Sequence, residues 1–198
     1  RVARRRIRSV FLSLCFLCPL LMGSVHLPII LTIGVISSVL AFLVVSLNGK
    51  PKFSLSLLQR VLAFWWLATL FQIVPLPFQF VELLAPTVAD FVLNATGDNR
   101  SWVSMSLEPA GAAVEMMKVW SLLSLSLVAQ VVLSREEHKV WWMELTTYSG
   151  VAVVAIGVAH LILGMKAPFD YFTVSSPLPT TFINPNHLSA FLGFCVFI

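Results

Sequence analysis

The chain has 198 residues, of which 58% are hydrophobic and 11% charged, with a formal net charge of +4 and a mean hydropathy of +0.91. Soluble domains carry about a quarter charged residues, so a water-soluble globule is excluded. A basic surplus can point to nucleic acid, but here the cations stand in short clusters between apolar blocks, without interleaved aromatics on a polar surface, and that class is excluded too.

The apolar blocks approach the ~20 residues that cross a bilayer core. Arg1, Arg4, Arg5, Arg6 and Arg8 lead into the first, over 9–22. A secretory signal has this profile, but residues 23–26 offer no small-x-small cleavage site, and Leu14 occupies the place before Cys15 where a lipoprotein signal needs a small residue. The run is expected to be an uncleaved first span, held in the cytoplasm by its arginines. A turn over 22–28 and a second span over 29–47 follow, with Gly34, Ser37, Ser38 and Ala41 suited to close helix packing. After a turn bearing Lys50 and Lys52, a third span is expected over 57–74, with Arg60 at its cytoplasmic end and Trp65 and Trp66 within it.

Pro75 and Pro77 close that helix, and the longest non-spanning segment follows. In it Gln79, Glu82, Pro86 and Asp90 recur opposite Phe80, Val81, Leu84, Val88, Phe91 and Val92. This pattern predicts an amphipathic helix lying in the interface and bent at Pro86, with packing of the same helix on the spans as an equal alternative. Pro109 opens a fourth span reaching 133, where Glu115 and Lys118 are spaced to pair. Residues 134–139 form a charged cytoplasmic turn, whose His138 shows no partner pattern. The fifth span, 140–164, starts with Trp141 and Trp142 at the interface and carries Gly150 and Gly157 on one close-packing face. Within it His160 is expected to be neutral and hydrogen-bonded. Cys15, Cys18 and Cys195 all lie in apolar runs, without the accessible thiolate that a redox pair needs and without a second pair for zinc, so no metal site is expected.

Counting cations orients these spans. Ten basic residues fall in the ends and turns assigned to the cytoplasm, whereas Arg100 and Lys166 alone fall in the outer loops. The N-terminus is therefore expected inside, and the loop 166–181 outside. The expected fold is all-α, a polytopic transmembrane helical bundle of five complete spans plus the start of a sixth, with an interfacial amphipathic helix. Residues 1–75 hold three spans, 76–108 a periplasmic segment, 109–164 two further spans, and 165–198 a periplasmic loop with the opening of another domain.

That opening is Thr180-Thr181-Phe182-Ile183-Asn184-Pro185-Asn186-His187-Leu188. Asn184 suits a helix cap and Pro185 a first helical position. Asn184, Asn186 and His187 thus sit on the positive end of a helix entering the membrane, which suits an anionic head group.

Phe182-x-Asn184-Pro185-Asn186-His187-Leu188 resembles the signature opening the conserved domain of the O-antigen ligase and polysaccharide polymerase family of bacterial inner-membrane proteins. Val74-Pro75-Leu76-Pro77 and Ser106-Leu107-Glu108-Pro109 resemble weaker features of that family, and the resemblance covers roughly residues 60–198. It implies transfer of a glycan from an undecaprenyl pyrophosphate carrier to a hydroxyl acceptor at the outer leaflet, with no metal or other cofactor. Such chemistry needs a cation on the pyrophosphate and a base at the acceptor. Asn184, Asn186, His187, Arg100 and Lys166 are the substrate-binding candidates. The family's essential basic and histidine residues belong to a later, larger periplasmic loop, so no catalytic residue is carried over. The stretch is expected to be the first part of a longer protein and inactive alone. The alternative is a catalytically silent, truncated membrane subunit, with other membrane proteins as partners. A transporter fits less well, because its substrate site wants helices broken at mid-membrane, and the prolines here fall at span ends.

Overall fold

The computed structural model describes residues 2–21, 26–47, 54–96, 101–165 and 185–197. Among them the order is α1 Val2–Leu20, α2 Leu27–Leu47, α3 Leu57–Ile73, β1 Leu76–Pro77, α4 Phe78–Leu84, α5 Pro86–Thr96, β2 Trp102–Val103, α6 Pro109–Val132, α7 Glu136–Ile162 and α8 Pro185–Phe197. The all-α expectation holds, with one short strand pair added. The chain divides into two units, Arg1–Pro51 with Ser124–Ile198, and Lys52–Leu123.

Three described helices, α2, α6 and α7, are long and apolar enough to cross a membrane, which corrects the expected five complete spans. α1 falls short because its first turns are spent on arginines. Its apolar part, Ser9 to Leu20, rises only about 18 Å at 1.5 Å per residue, against a hydrocarbon core of about 30 Å. α3 is a 17-residue apolar helix, also below spanning length. The fifth predicted span begins four residues early. Glu136 and Glu137 occupy the first turn of α7, where the helix dipole favours carboxylates, and Glu136 pairs with Lys139 at 2.6 Å. The charged turn is therefore largely helix.

In the unit Lys52–Leu123, α3 opens on a capping box. Ser56 Oγ accepts from the Gln59 amide at 3.2 Å, and the Ser56 amide donates to Gln59 Oε1 at 2.9 Å. Its far end is pinned by the Ser106 amide donating to the Gln72 carbonyl at 3.1 Å. Trp66 meets Trp120 of α6 with ring centroids 5.4 Å apart, so one of the two tryptophans placed within the predicted third span is a packing residue. β1 pairs antiparallel with β2, Leu76 opposite Val103 and Pro77 opposite Trp102. This clasp closes the intervening segment into a loop.

Within the loop, the predicted bend at Pro86 is a full break. Ala85 has φ −145° and ψ 66°, because the ring of a following proline disfavours helical backbone, and α4 ends there while α5 starts at Pro86. Val81 and Ala89 are buried, and Phe80, Leu83, Leu84 and Phe91 are exposed. The apolar side chains therefore serve two purposes. Val81 and Ala89 are held inside, and the four larger ones are presented outward beside Glu82 and Asp90.

In the other unit, α7 is the element on which its neighbours pack: α1 runs along it and α8 docks on it, while α2 packs on α1. Its buried stripe is Thr146, Ser149, Gly150, Val153, Gly157 and His160, at three- and four-residue spacing. The stripe contains both glycines of the predicted close-packing face. Ser149 Oγ donates to the Phe16 carbonyl of α1 at 3.1 Å. Gly150 allows Cys195 of α8 to approach so closely that a Cβ would meet its Sγ at 2.9 Å. α7 closes on Gly164, whose φ of 67° lies in the left-handed region that favours glycine. The Met165 amide reaches the His160 carbonyl at 2.9 Å and the Gly164 amide reaches that of Leu161 at 3.2 Å, a Schellman cap.

Candidate functional site

Two places can be read for chemistry. The first is the predicted bracket. α8 begins at Pro185, as the Asn-Pro step requires, and runs 13 residues. His187 is exposed in its first turn, while the adjacent Leu188 and the more distant Cys195 are buried, so the packed face of α8 excludes the histidine. The farther end of α8 is seated by Phe194 edge-on to Trp142, with centroids 6.1 Å apart, and by Cys195 Sγ within 3.4 Å of the Thr146 carbonyl. Asn186 lies in the helix backbone, whereas Asn184, Arg100 and Lys166 lie outside the described residues. Of the five candidates, His187 is thus the one whose side chain is positioned.

The second place was not anticipated. At the arginine-bearing end of α1, four helix ends of one unit converge: the starts of α1 and α7 and the finishes of α2 and α6. They enclose a cleft of about 590 Å³. Its basic wall is Arg4, Arg5, Arg8, Arg135 and His138, and its apolar wall includes Val44, Leu47, Val131 and Val132. No carboxylate lines it among the described residues. Glu137 is the nearest described acid by ion pairing, 3.7 Å from Arg135 and 3.4 Å from His138 Nε2.

The cleft is organised by His138. Its Nδ1 lies 2.7 Å from the Val132 carbonyl, which can only accept, so Nδ1 carries the proton. Nε2 then presents a lone pair, and Arg8 Nη1 donates to it at 2.6 Å. That contact is much shorter than the one to Glu137, and the ring is therefore the neutral acceptor of an arginine rather than the cation of a carboxylate pair. Arg8 also lies over the Trp141 ring, 4.9 Å from its centroid, and the rings of His138 and Trp141 meet at a tilt of 40° with centroids 5.8 Å apart. One guanidinium is thus fixed from two sides by groups one turn apart on α7.

No family model, curated protein or solved structure matches this chain. Among the described residues no three His, Cys, Asp or Glu side chains gather as a metal site. The described cysteines are free thiols, and Cys15 accepts a hydrogen bond from Trp142, which makes it part of the α1 to α7 seam. Glu115 and Lys118 pair at 2.5 Å on the surface of α6, as their spacing predicts. His160 is buried on α7, with its carbonyl engaged in the helix cap.

Sequence reasoning set His138 aside because no local pattern marks it, and its partner stands 130 residues away. The available signal was weaker: a histidine one turn before a tryptophan pair, in a turn assigned to the same side as five arginines.

Proposed function

We propose that the chain belongs to a multi-pass protein of the bacterial inner membrane, with its N-terminus in the cytoplasm, that takes part in moving a glycan from an undecaprenyl pyrophosphate carrier to a hydroxyl acceptor on the outer face. The observation that carries this reading is α8. A helix that opens at Pro185, directly behind Asn184, leaves His187 exposed in its first turn. That is what an Asn-Pro-Asn-His signature is for when amides and an imidazole must face a diphosphate at the membrane surface. Asn184, Asn186 and His187 would orient the carrier's head group, with Arg100 and Lys166 as the cations available to it.

The orientation rests on the same arithmetic of charge. Arg4, Arg5, Arg8 and Arg135 gather at one end of their unit, which suits the side of a membrane that retains positive charge. Within the other unit, the exposed Phe80, Leu83, Leu84 and Phe91 suit a segment resting in a membrane interface.

The test has two parts. A periplasm-active reporter fused after Met165 is expected to be active, and cytosolic activity there would remove the geometry. Deleting the gene is expected to alter ligation or chain length of surface polysaccharide, and His187→Ala in the intact protein is expected to lower glycan transfer at least tenfold. Unchanged polysaccharide on deletion would instead favour the silent membrane subunit.

A further inference from the structure

The cleft at the arginine-bearing end of α1 lies at the opposite end of α7 from the cap on Gly164, and the glycan-transfer reading makes no use of it. We propose that it binds the phosphate group of an anionic membrane lipid. The inference rests on the chain being inserted in a membrane and not on what its outer face does.

The charge argument comes first. Four guanidinium groups, those of Arg4, Arg5, Arg8 and Arg135, line one cleft that no described carboxylate lines. The helix ends do not decide the field. Two positive and two negative termini meet there, each worth about half a charge, and they cancel to first order. The guanidinium groups remain, and Glu137 pairs with one of them, Arg135, at 3.7 Å. Cations held this close in a folded protein repel one another, and a phosphate oxygen set is the ligand that relieves them.

Arg8 supplies the geometry. Free arginine loses much rotamer freedom on binding an anion. Here the loss has already occurred, because His138 Nε2 and the Trp141 face fix the guanidinium. The histidine contact uses only Nη1, so the rest of the planar fork can still grip a phosphate.

The apolar wall decides between a lipid and a soluble phosphate. Val44 and Val132 are buried, whereas Leu47 at the end of α2 is 45% exposed. Beside the arginines the cleft therefore offers hydrocarbon, as an amphiphile with an anionic head and acyl chains requires. α2 and α7 are both long enough to cross a membrane, so their shared end falls at head-group depth, where basic pockets between spans take anionic lipids. The volume of about 590 Å³ lies within the roughly 300–1,000 Å³ of small-molecule sites.

The experiment uses the whole chain in a neutral detergent, titrated with dioleoyl-phosphatidylglycerol, with dioleoyl-phosphatidylcholine as the zwitterionic comparison and inorganic phosphate as the soluble probe. Thermal stabilisation and lipid retention in native mass spectrometry are the readouts. Phosphatidylglycerol is expected to bind and phosphatidylcholine not to, with Arg8→Gln and Arg5→Gln each weakening binding about tenfold. Arg6→Gln removes the same charge from α1 outside the cleft and is expected to change binding less than about twofold. If Arg8→Gln does not fold, Arg5→Gln, at an exposed position, carries the comparison. Equal binding of both lipids overturns the proposal, as does equal loss in Arg5→Gln and Arg6→Gln, which would mark diffuse charge. Arginine-dependent binding of inorganic phosphate without phosphatidylglycerol binding overturns the lipid as source.

Discussion

Arg8 Nη1 donates to His138 Nε2 at 2.6 Å, joining the second turn of α1 to the first turn of α7, 130 residues away in the chain. Nothing local to either residue announces this contact. It makes α1, whose apolar part is too short to cross a membrane unaided, a tethered partner of α7, a helix that is long enough. Arg8→Ala and His138→Ala are each expected to destabilise the folded chain in detergent by about 1–2 kcal/mol, and the double variant by less than their sum. Denaturant or thermal unfolding of the four proteins closes the cycle. Strict additivity would mean that the pair contributes nothing.

Gly150 and Gly193 make a matched pair for the docking of α8. A methyl group at Gly150 would meet Cys195 Sγ at 2.9 Å and its Cβ at 3.1 Å, whereas one at Gly193 meets nothing within 4 Å. Gly150→Ala is expected to cost about 1–3 kcal/mol by overpacking. Gly193→Ala is expected to be neutral or to stabilise by about 0.5–1 kcal/mol, because alanine is the better helix former. Cys195→Ala should recover part of the loss in the Gly150→Ala background and is the control for mechanism.

The Schellman cap predicts a backbone effect of different origin. Gly164 has open space around it, but its φ is 67°. Gly164→Ala is therefore expected to cost about 1 kcal/mol through backbone strain alone, with Gly164→Asn milder because asparagine tolerates the left-handed region. Amide exchange at Met165, whose hydrogen bond to the His160 carbonyl depends on the turn, is the local readout.

At the start of α3, Ser56→Ala removes the acceptor of the Gln59 amide and is expected to cost about 1 kcal/mol. Faster exchange at the Gln59 amide, with α7 unaffected, would locate the effect at the cap.

The segment between β1 and β2 presents Leu83 at 78% exposure beside Phe80 and Leu84. If this face rests in a membrane interface, Leu83→Asp weakens membrane association without lowering helix content, since the side chain packs on little else. A spin label at position 83 showing no contact with lipid would sink that placement.

Much of the helical scaffold was legible in order of residues alone. Proline at 109 and 185 marks helix starts, Pro75 lies just beyond the end of α3, and the bend expected at Pro86 is a break between two helices, because the ring dictates backbone locally. The glycine pair on α7 and the Glu115 to Lys118 ion pair also followed from helical spacing. The number of spans did not, since hydropathy read in blocks counts apolar residues that the helix of α1 shares with arginines. Nor did the β1 to β2 clasp, which joins two two-residue segments across two helices. At the candidate bracket, the opening of α8 was legible, whereas the exposure of His187 follows from Leu188 taking the packed face.

By itself the sequence determined that this protein is built of apolar helices, where several of them begin and end, and that its cations are segregated. Those properties depend on composition and on neighbours within a turn. Only the tertiary structure decided which cations share a cleft, because bringing Arg8 to His138 requires α1 and α7 to lie side by side. That arrangement is set by small side chains such as Ser149, buried on α7 and bonded to the Phe16 carbonyl. Contacts between helix faces far apart in the chain leave no periodic trace, and the arginine cleft is made of such contacts.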